Sequence, residues 1–454
     1  MSAPPPHTAP IPVSSSAADL PPPHGLNGSG NGWVGSGTDA IREAVAPPRL
    51  MMYSQDGLGL GHMRRTSEIA AELSRRRPDA AILAINDSPL GNIFGAGKNH
   101  DYVKLPSIEK VGPGDWRGVS LPLPFDDIRA MRERILWSSV LHYRPDVLLV
   151  DHMPHGAMSE LVPALEALRE AKPEATIVLG LRDILDAPDV ISRRWKAEGA
   201  FEVIERFYDQ ILVYGSRDVF DMAAQYRFPP GTASKLRYCG YLCTAATGRS
   251  AARIRATHRK GMKDNGRLIV AMAGGGADAF SMMDTLVAAV PEILSRHAVN
   301  LVLVTGPLMP AADRRALAVQ AAGLPVRVRA SVADPLSYVE AADLVVTRAG
   351  YNSTIEILRS GTPALLVPRP GPSAEQRTRA RLFANRGWID AVDPDELDAE
   401  RLAHAVVAAL RQRQPLMDGD APDLGGLESA GRHLKAVLPS ELSERVPLLA
   451  TGAG

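Results

Sequence analysis

Short apolar runs that alternate with longer helix-patterned stretches constrain this chain more than any other feature of its sequence. From Arg49 onward the runs fall at 50–53, 81–85, 147–150, 177–179 and 211–213. Uninterrupted runs of this kind suit strands buried on both faces, and their alternation with helices predicts a parallel, doubly wound α/β sheet. A second series, at 268–271, 301–304, 326–328, 344–346 and 364–367, follows the basic, strand-poor stretch 245–265. The chain therefore reads as two Rossmann-like domains, 47–245 and 246–440, facing each other across a cleft. At 454 residues and 45% hydrophobic content it is long enough to give each a core. Residues 1–46, rich in Pro, Ser and Gly, read as a disordered tail, and 441–454 as a loose one. A helix over 428–437 is expected to pack back across the domains.

Ligands of such sheets bind outside the carboxyl ends of the strands, so the residues that directly follow strands carry the functional reading. The richest stretch is Thr347-Arg348-Ala349-Gly350-Tyr351-Asn352-Ser353-Thr354-Ile355-Glu356. Gly350 permits a sharp exit from the strand, and Asn352, Ser353 and Thr354 are helix-start residues with hydroxyls and free backbone N–H groups that suit a phosphate. Glu356, two residues on, is an acceptor with the reach for the vicinal hydroxyls of a ribose. A diphosphate and a ribose together make a nucleotide, and the candidate donor site takes in Arg348 and Gly350 with these residues.

Four other motifs follow strands. Gly57-Leu58-Gly59-Leu60-Gly61-His62 departs from the dinucleotide fingerprint, because His62 stands where its last glycine would be; this argues against a nicotinamide enzyme. Gly59 and Gly61 let backbone approach a ligand, and His62 at the helix start is placed to act on an acceptor hydroxyl or to touch a diphosphate. The competing reading is a structural turn with an exposed histidine. Gly274-Gly275-Gly276 opens the second series and is either a phosphate cradle or a tight connection. Asp151 and His152, in Asp151-His152-Met153-Pro154-His155, form an acid-base cluster at the cleft edge, with Asp151 the reserve to His62 as base; Arg182-Asp183 is an acceptor-binding pair. For both, a helix cap or surface pair is the alternative.

The stretch from Thr347 to Pro368, continuing to Glu375-Gln376, resembles the C-terminal half of the family 28 glycosyltransferases, which includes the enzyme that adds N-acetylglucosamine to a lipid-linked peptidoglycan precursor. The glycine loop ending in Gly61-His62 is similar to that family's as well. The resemblance implies the GT-B architecture, a phosphate-contacting loop at Gly274, a backbone contact from Val332 to the uracil edge, and donor-sugar binding by Glu375 and Gln376. The family's commoner Gln-Gln is Glu-Gln here, which bears on the donor sugar. Arg377, Arg379 and Arg381 read as a solvated helix face.

With 51 basic and 51 acidic residues, no net field draws the chain to nucleic acid or anionic lipid. Cys239 and Cys243 lack the further ligands of a zinc site, and Asp393-Pro394-Asp395 lies far from the nucleotide motifs, so neither reads as a metal centre. The expectation is a cytoplasmic, metal-independent inverting transferase, peripheral to the inner membrane face if its acceptor is lipid-linked, with no cofactor beyond its UDP-sugar substrate. A polysaccharide precursor or a small metabolite is the other kind of acceptor. A nucleotide-sugar 2-epimerase and a non-catalytic sugar-nucleotide-binding subunit are the alternatives.

Overall fold

A computed structural model describes residues 46–55, 61–88, 98–112, 115–244, 248, 250–259, 266–411 and 421–440. Gly57 and Gly59, and the tails at 1–45 and 441–454, lie outside the described residues. The chain divides into Met1–Ala46 and Pro47–Gly454, and the architecture below belongs to the second unit.

The first half contributes β1 (Arg49–Ser54), β2 (Ala81–Asn86), β3 (His100–Lys104), β4 (Ile108–Gly112), β5 (Asp115–Gly118), β6 (Val147–Asp151), β7 (Thr176–Arg182), β8 (Gln210–Tyr214) and β9 (Leu236–Tyr238). Seven of these form one sheet in the order β3-β2-β1-β6-β7-β8-β9, with β4 and β5 set apart as an antiparallel hairpin. The second half contributes β10 (Arg267–Met272), β11 (Val299–Val304), β12 (Val326–Arg329), β13 (Leu344–Thr347), β14 (Ala364–Leu366) and β15 (Asp390–Ala391), in the order β12-β11-β10-β13-β14-β15. All pairings within both large sheets are parallel. Each sheet therefore runs outward from its first strand in both directions, and its order reverses between β1 and β6 in one half and between β10 and β13 in the other. At such a reversal the connections leave on opposite faces and open a crevice at the strand ends.

Every run read as a strand is one. The strands that the apolar pattern does not announce are β3, β9, β15 and the hairpin. β3 and β9 carry half-buried and exposed residues, and β15 is exposed throughout. Edge strands are covered on fewer sides, so they need no continuous apolar run.

One core joins the two halves. Leu50, Met52, Ile69 and Leu73 from the first share a buried cluster with Val270, Tyr351, Ile355 and Phe383 from the second. At the crossover, Leu242 N donates to Tyr351 Oη at 2.8 Å, and Tyr241 packs edge-on against Phe383 at 5.6 Å between centroids. The last described helix, Gly426–Val437, returns to the first half: Ala430 and Leu434 are wholly buried, and Gly431 lies against Glu72 and Arg76 of helix Gly61–Arg76. Among the described residues no helix is long and apolar enough to cross a membrane.

Candidate active site

The two crevices converge on two helix starts. Helix Gly61–Arg76 follows β1, and helix Tyr351–Ser360 follows β13 through Gly350, whose extended backbone (φ −68°, ψ 141°) sets the turn. Asn352 Nδ2 donates to Gly61 O at 3.3 Å, so the helices meet start to start. A side chain at position 61 would come within 3.9 Å of Asn352 Nδ2. The first intrahelical bond of the second helix runs from Thr354 N to Gly350 O at 3.0 Å, which leaves the amides of Tyr351, Asn352 and Ser353 ahead of it. Two positive helix ends and an unfilled set of amides make the junction attractive to an anion. Ser353 is half-buried at this start. Thr354 is wholly buried, with its hydroxyl turned into the protein and its amide already bonded, so it presents neither group to the cleft.

The glycine loop after β10 divides by role. Gly276 has φ +89°, and a Cβ there would lie 1.9 Å from Thr305 O, so packing against the end of β11 demands glycine. Gly275 O accepts from Leu308 N at 2.8 Å, which ties the same two loops. Gly274, with φ +56°, is exposed and has nothing within 4 Å of its added Cβ; it is the glycine that faces open space. Val332 is partly buried against the joint core. Arg348 donates to the carbonyls of Asp278, Pro368 and Val367 at 2.7, 3.0 and 3.3 Å, bracing the loops around the site from below rather than reaching into it.

On the first-half side, Asp151 ends β6 and is 1% exposed. Arg65 clamps it with both prongs, Nε to Oδ1 at 3.0 Å and Nη2 to Oδ2 at 2.6 Å, and His62 Nδ1 lies 2.5 Å from the same Oδ2. Burial pushes the Asp151 carboxyl up, but Arg65 and then His62 outweigh it and hold the group well below the usual carboxylate range. An ionised Oδ2 accepts from a proton on His62 Nδ1, the tautomer that leaves Nε2 as the basic nitrogen, while Arg65 Nη2 lies 2.7 Å from the same Nδ1. His62 remains 21% exposed. His152, next to Asp151, has a left-handed backbone (φ +74°) and stacks obliquely on His62 with 5.1 Å between centroids. Burial first, then the charges of Arg182 and His62, push its basicity well below the ordinary value and keep it neutral. His155 is turned away, its Nδ1 2.8 Å from Gly156 O.

Ion pairs bind the two halves across the crevice. Arg64, in the first turn of its helix, pairs with Glu356, the residue read as the ribose acceptor. Arg182, at the end of β7, pairs with Glu375 at 2.9 Å. Arg379 reaches Asp183 at 2.6 and 2.9 Å, Glu375 at 2.9 Å and Ala349 O at 2.7 Å. Ala374 N donates to Asp186 Oδ1 at 2.7 Å. Glu375 is thus 4% exposed and occupied by two guanidinium groups, while Gln376 Oε1 accepts from Arg369 N at 3.1 Å.

The reading of Arg379 as solvated is corrected: it is wholly buried, because Glu375, Arg379 and Phe383 recur every four residues on the helix's inner face. Arg377 and Arg381 lie on its outer side, and Arg377 pairs with exposed Asp395 at 2.7 Å. Arg64 and Arg65 were missed by sequence reasoning. The signal for Arg65 was its place three residues after His62, on the same helix face. Arg64 also pairs with Glu68 four residues on, at 3.1 Å, the spacing of an ordinary surface pair. No group of three or more His, Cys, Asp or Glu side chains able to hold a metal occurs among the described residues. Cys239 and Cys243 are free and buried.

Comparison with known proteins places the second half. The glycosyltransferase family 28 C-terminal domain matches residues 269–424. The UDP-N-acetylglucosamine–N-acetylmuramyl-(pentapeptide) pyrophosphoryl-undecaprenol N-acetylglucosamine transferase of Acidothermus cellulolyticus is 31% identical over 180 residues, 39% of this chain and 48% of that protein. The chain spans about half the length of the curated relatives it matches. By fold, MurG of Acinetobacter baumannii superposes with a TM-score of 0.53 at 16% identity, over 86% of this chain and 99% of its own. A putative UDP-N-acetylglucosamine 2-epimerase from Listeria monocytogenes superposes at 0.57 with 14% identity, over 86% and 96%. The architecture is GT-B.

Proposed function

We propose that this GT-B chain, whose residues 269–424 are a glycosyltransferase family 28 C-terminal domain, is an inverting glycosyltransferase that moves a sugar from a UDP-sugar, such as UDP-N-acetylglucosamine, to a hydroxyl acceptor. One observation carries the reading: the His62–Asp151 pair and the helix start that bears Glu356 meet at the two strand-order reversals, in one crevice. In the proposed reaction Glu356 takes the ribose hydroxyls, and the diphosphate lies over the amides of Tyr351, Asn352 and Ser353, with Gly274 giving it room. His62 Nε2 removes the acceptor hydroxyl proton while that oxygen attacks the sugar C1 from the face opposite the leaving group. The C1–O bond breaks, its electron pair leaves with UDP, and the configuration inverts. Asp151 supports the imidazolium that forms, and Arg65 keeps Asp151 ionised. Charge gathering on the leaving diphosphate is met by two helix ends, so we propose departure without a metal.

Glu375 enters this scheme through Arg182, which it holds at the cleft. The exposed Val119, Leu121, Leu123, Met131 and Trp137 support a lipid-linked acceptor and peripheral membrane contact for the first half. The epimerase reading rests on fold likeness, whereas the sequence match supports the transferase.

The test is calorimetric titration with UDP, UDP-N-acetylglucosamine, UDP-glucose, dTDP-glucose and GDP-mannose, followed by release of UDP with and without added acceptor. Binding of the uridine nucleotides, weakened at least tenfold in Glu356→Ala, is expected. Failure of every nucleotide to bind removes both the transferase and the epimerase.

A further inference from the structure

We infer that Arg64 is a diphosphate-binding residue contributed by the first half and held in reserve on Glu356. The inference rests on the donor site proposed above and extends it to a residue that neither the helix start nor the glycine loop contains.

Arg64 stands one turn after Gly61, whose carbonyl is bonded to Asn352, so its guanidinium hangs over the seam between the two helix starts. There it spans Glu68 on its own helix, at 3.1 Å, and Glu356 on the opposite one. The Arg64 side chain is 29% exposed and Glu356 13%, so the pair lies at the surface of the crevice rather than inside the joint core. Guanidinium stays charged at any working pH and offers five donors, enough to leave one anion and engage another without passing through an unpaired state. The other guanidinium groups at the junction are committed. Arg65 is clamped to Asp151, Arg379 to Asp183 and Glu375, and Arg348 to three carbonyls. Of the arginines on the first turn of helix Gly61–Arg76, Arg64 alone has the partial exposure and the cross-cleft reach to meet a ligand.

A ribose diol uses both oxygens of a carboxylate, and a diphosphate brings its charge to the adjacent helix start. Donor entry therefore exchanges partners: the ribose takes Glu356 and the guanidinium moves to the diphosphate. The exchange also ties the halves together through the donor, because Arg64 then grips from the first half a ligand held by the second.

Titration of the full chain with UDP, uridine and inorganic pyrophosphate tests this, using the wild type, Arg64→Gln and Glu356→Gln, each checked for an unchanged melting profile. Arg64→Gln should weaken UDP about 10- to 100-fold and leave uridine unchanged or tighter. Glu356→Gln should bind pyrophosphate more tightly than the wild type, because it frees the guanidinium, while losing affinity for uridine. Equal weakening of UDP and uridine in Arg64→Gln, or no change in either, would overturn the role of Arg64 and leave the donor site standing. A wild type that binds neither UDP nor uridine removes the donor site, and the role of Arg64 with it.

Discussion

At the scale of the residue, the proposed mechanism turns on a buried carboxylate that is not itself the base. Arg65 holds Asp151 ionised, and in the proposed mechanism Asp151 orients His62 rather than taking the proton itself. Asp151→Asn should therefore keep donor binding and lower turnover roughly 10²- to 10⁴-fold, similar to His62→Ala, in a single-turnover assay of UDP release. Equal loss of binding would point to a structural role instead. Asp151 and His62 were legible as a strand-end acid and a helix-start histidine, but their contact was not, since 89 residues separate them and only the sheet order brings β1 beside β6. Arg65 was hidden for a related reason: an arginine beside another arginine on a helix resembles a solvated face until its partner is known. The two cysteines, read from the sequence only as lacking the further ligands of a zinc site, are free and buried. Burial pushes the Cys239 thiol up to about 12 and the Cys243 thiol in the same direction, so neither should react with iodoacetamide at pH 8 until the protein unfolds.

At the scale of the element, the strands inside the two large sheets came through the sequence, while of the four edge strands only β12 did, through Val326 and Val328 on either side of exposed Arg327. The run 147–150 announces β6, buried along its whole length, whereas His100-Asp101-Tyr102-Val103-Lys104 carries no such signal because β3 closes the sheet edge. Glycines show the converse. Gly274, Gly275 and Gly276 look alike in sequence, yet the 1.9 Å approach to Thr305 O falls on Gly276 alone. Gly276→Ala should destabilise the fold by several kcal/mol, about the cost of strained backbone plus a steric clash, while Gly274→Ala should cost less stability and weaken diphosphate binding. Denaturant unfolding and pyrophosphate titration of the two variants separate those effects. Helix Gly426–Val437 makes a similar point about long-range order: Leu434→Ala should cost about 2–5 kcal/mol through the packing it removes from helix Gly61–Arg76, although some 360 residues of chain lie between them.

At the scale of the whole molecule, the two halves are joined by charge as well as by their shared core, and the charge makes the joint sensitive to acid. Burial raises Glu375, but Arg182 and Arg379 outweigh it and leave its folded pKa below the ordinary 4.5. The unfolded chain then binds more protons than the native one in that window. The stabilisation is complete above about pH 4.5 and is lost as pH falls through the lower folded value. His152 acts earlier: its unfolded form takes a proton near the ordinary 6.5 while the native form resists, so stability also drops as pH falls below that value. The melting temperature should decline below about pH 6.5 and more steeply below about 4.5. His152→Asn, which tolerates the left-handed backbone, should reduce the first decline and leave the part due to His100, His258, His297 and His433, whose basicity burial also lowers.

A crystal structure of the protein with UDP bound tests the proposed donor site most directly. It should show ribose hydroxyls on the Glu356 carboxylate, a diphosphate over the amides of Tyr351, Asn352 and Ser353, and Arg64 moved from Glu356 to that diphosphate. UDP bound elsewhere, with Arg64 still paired to Glu356, would contradict that site.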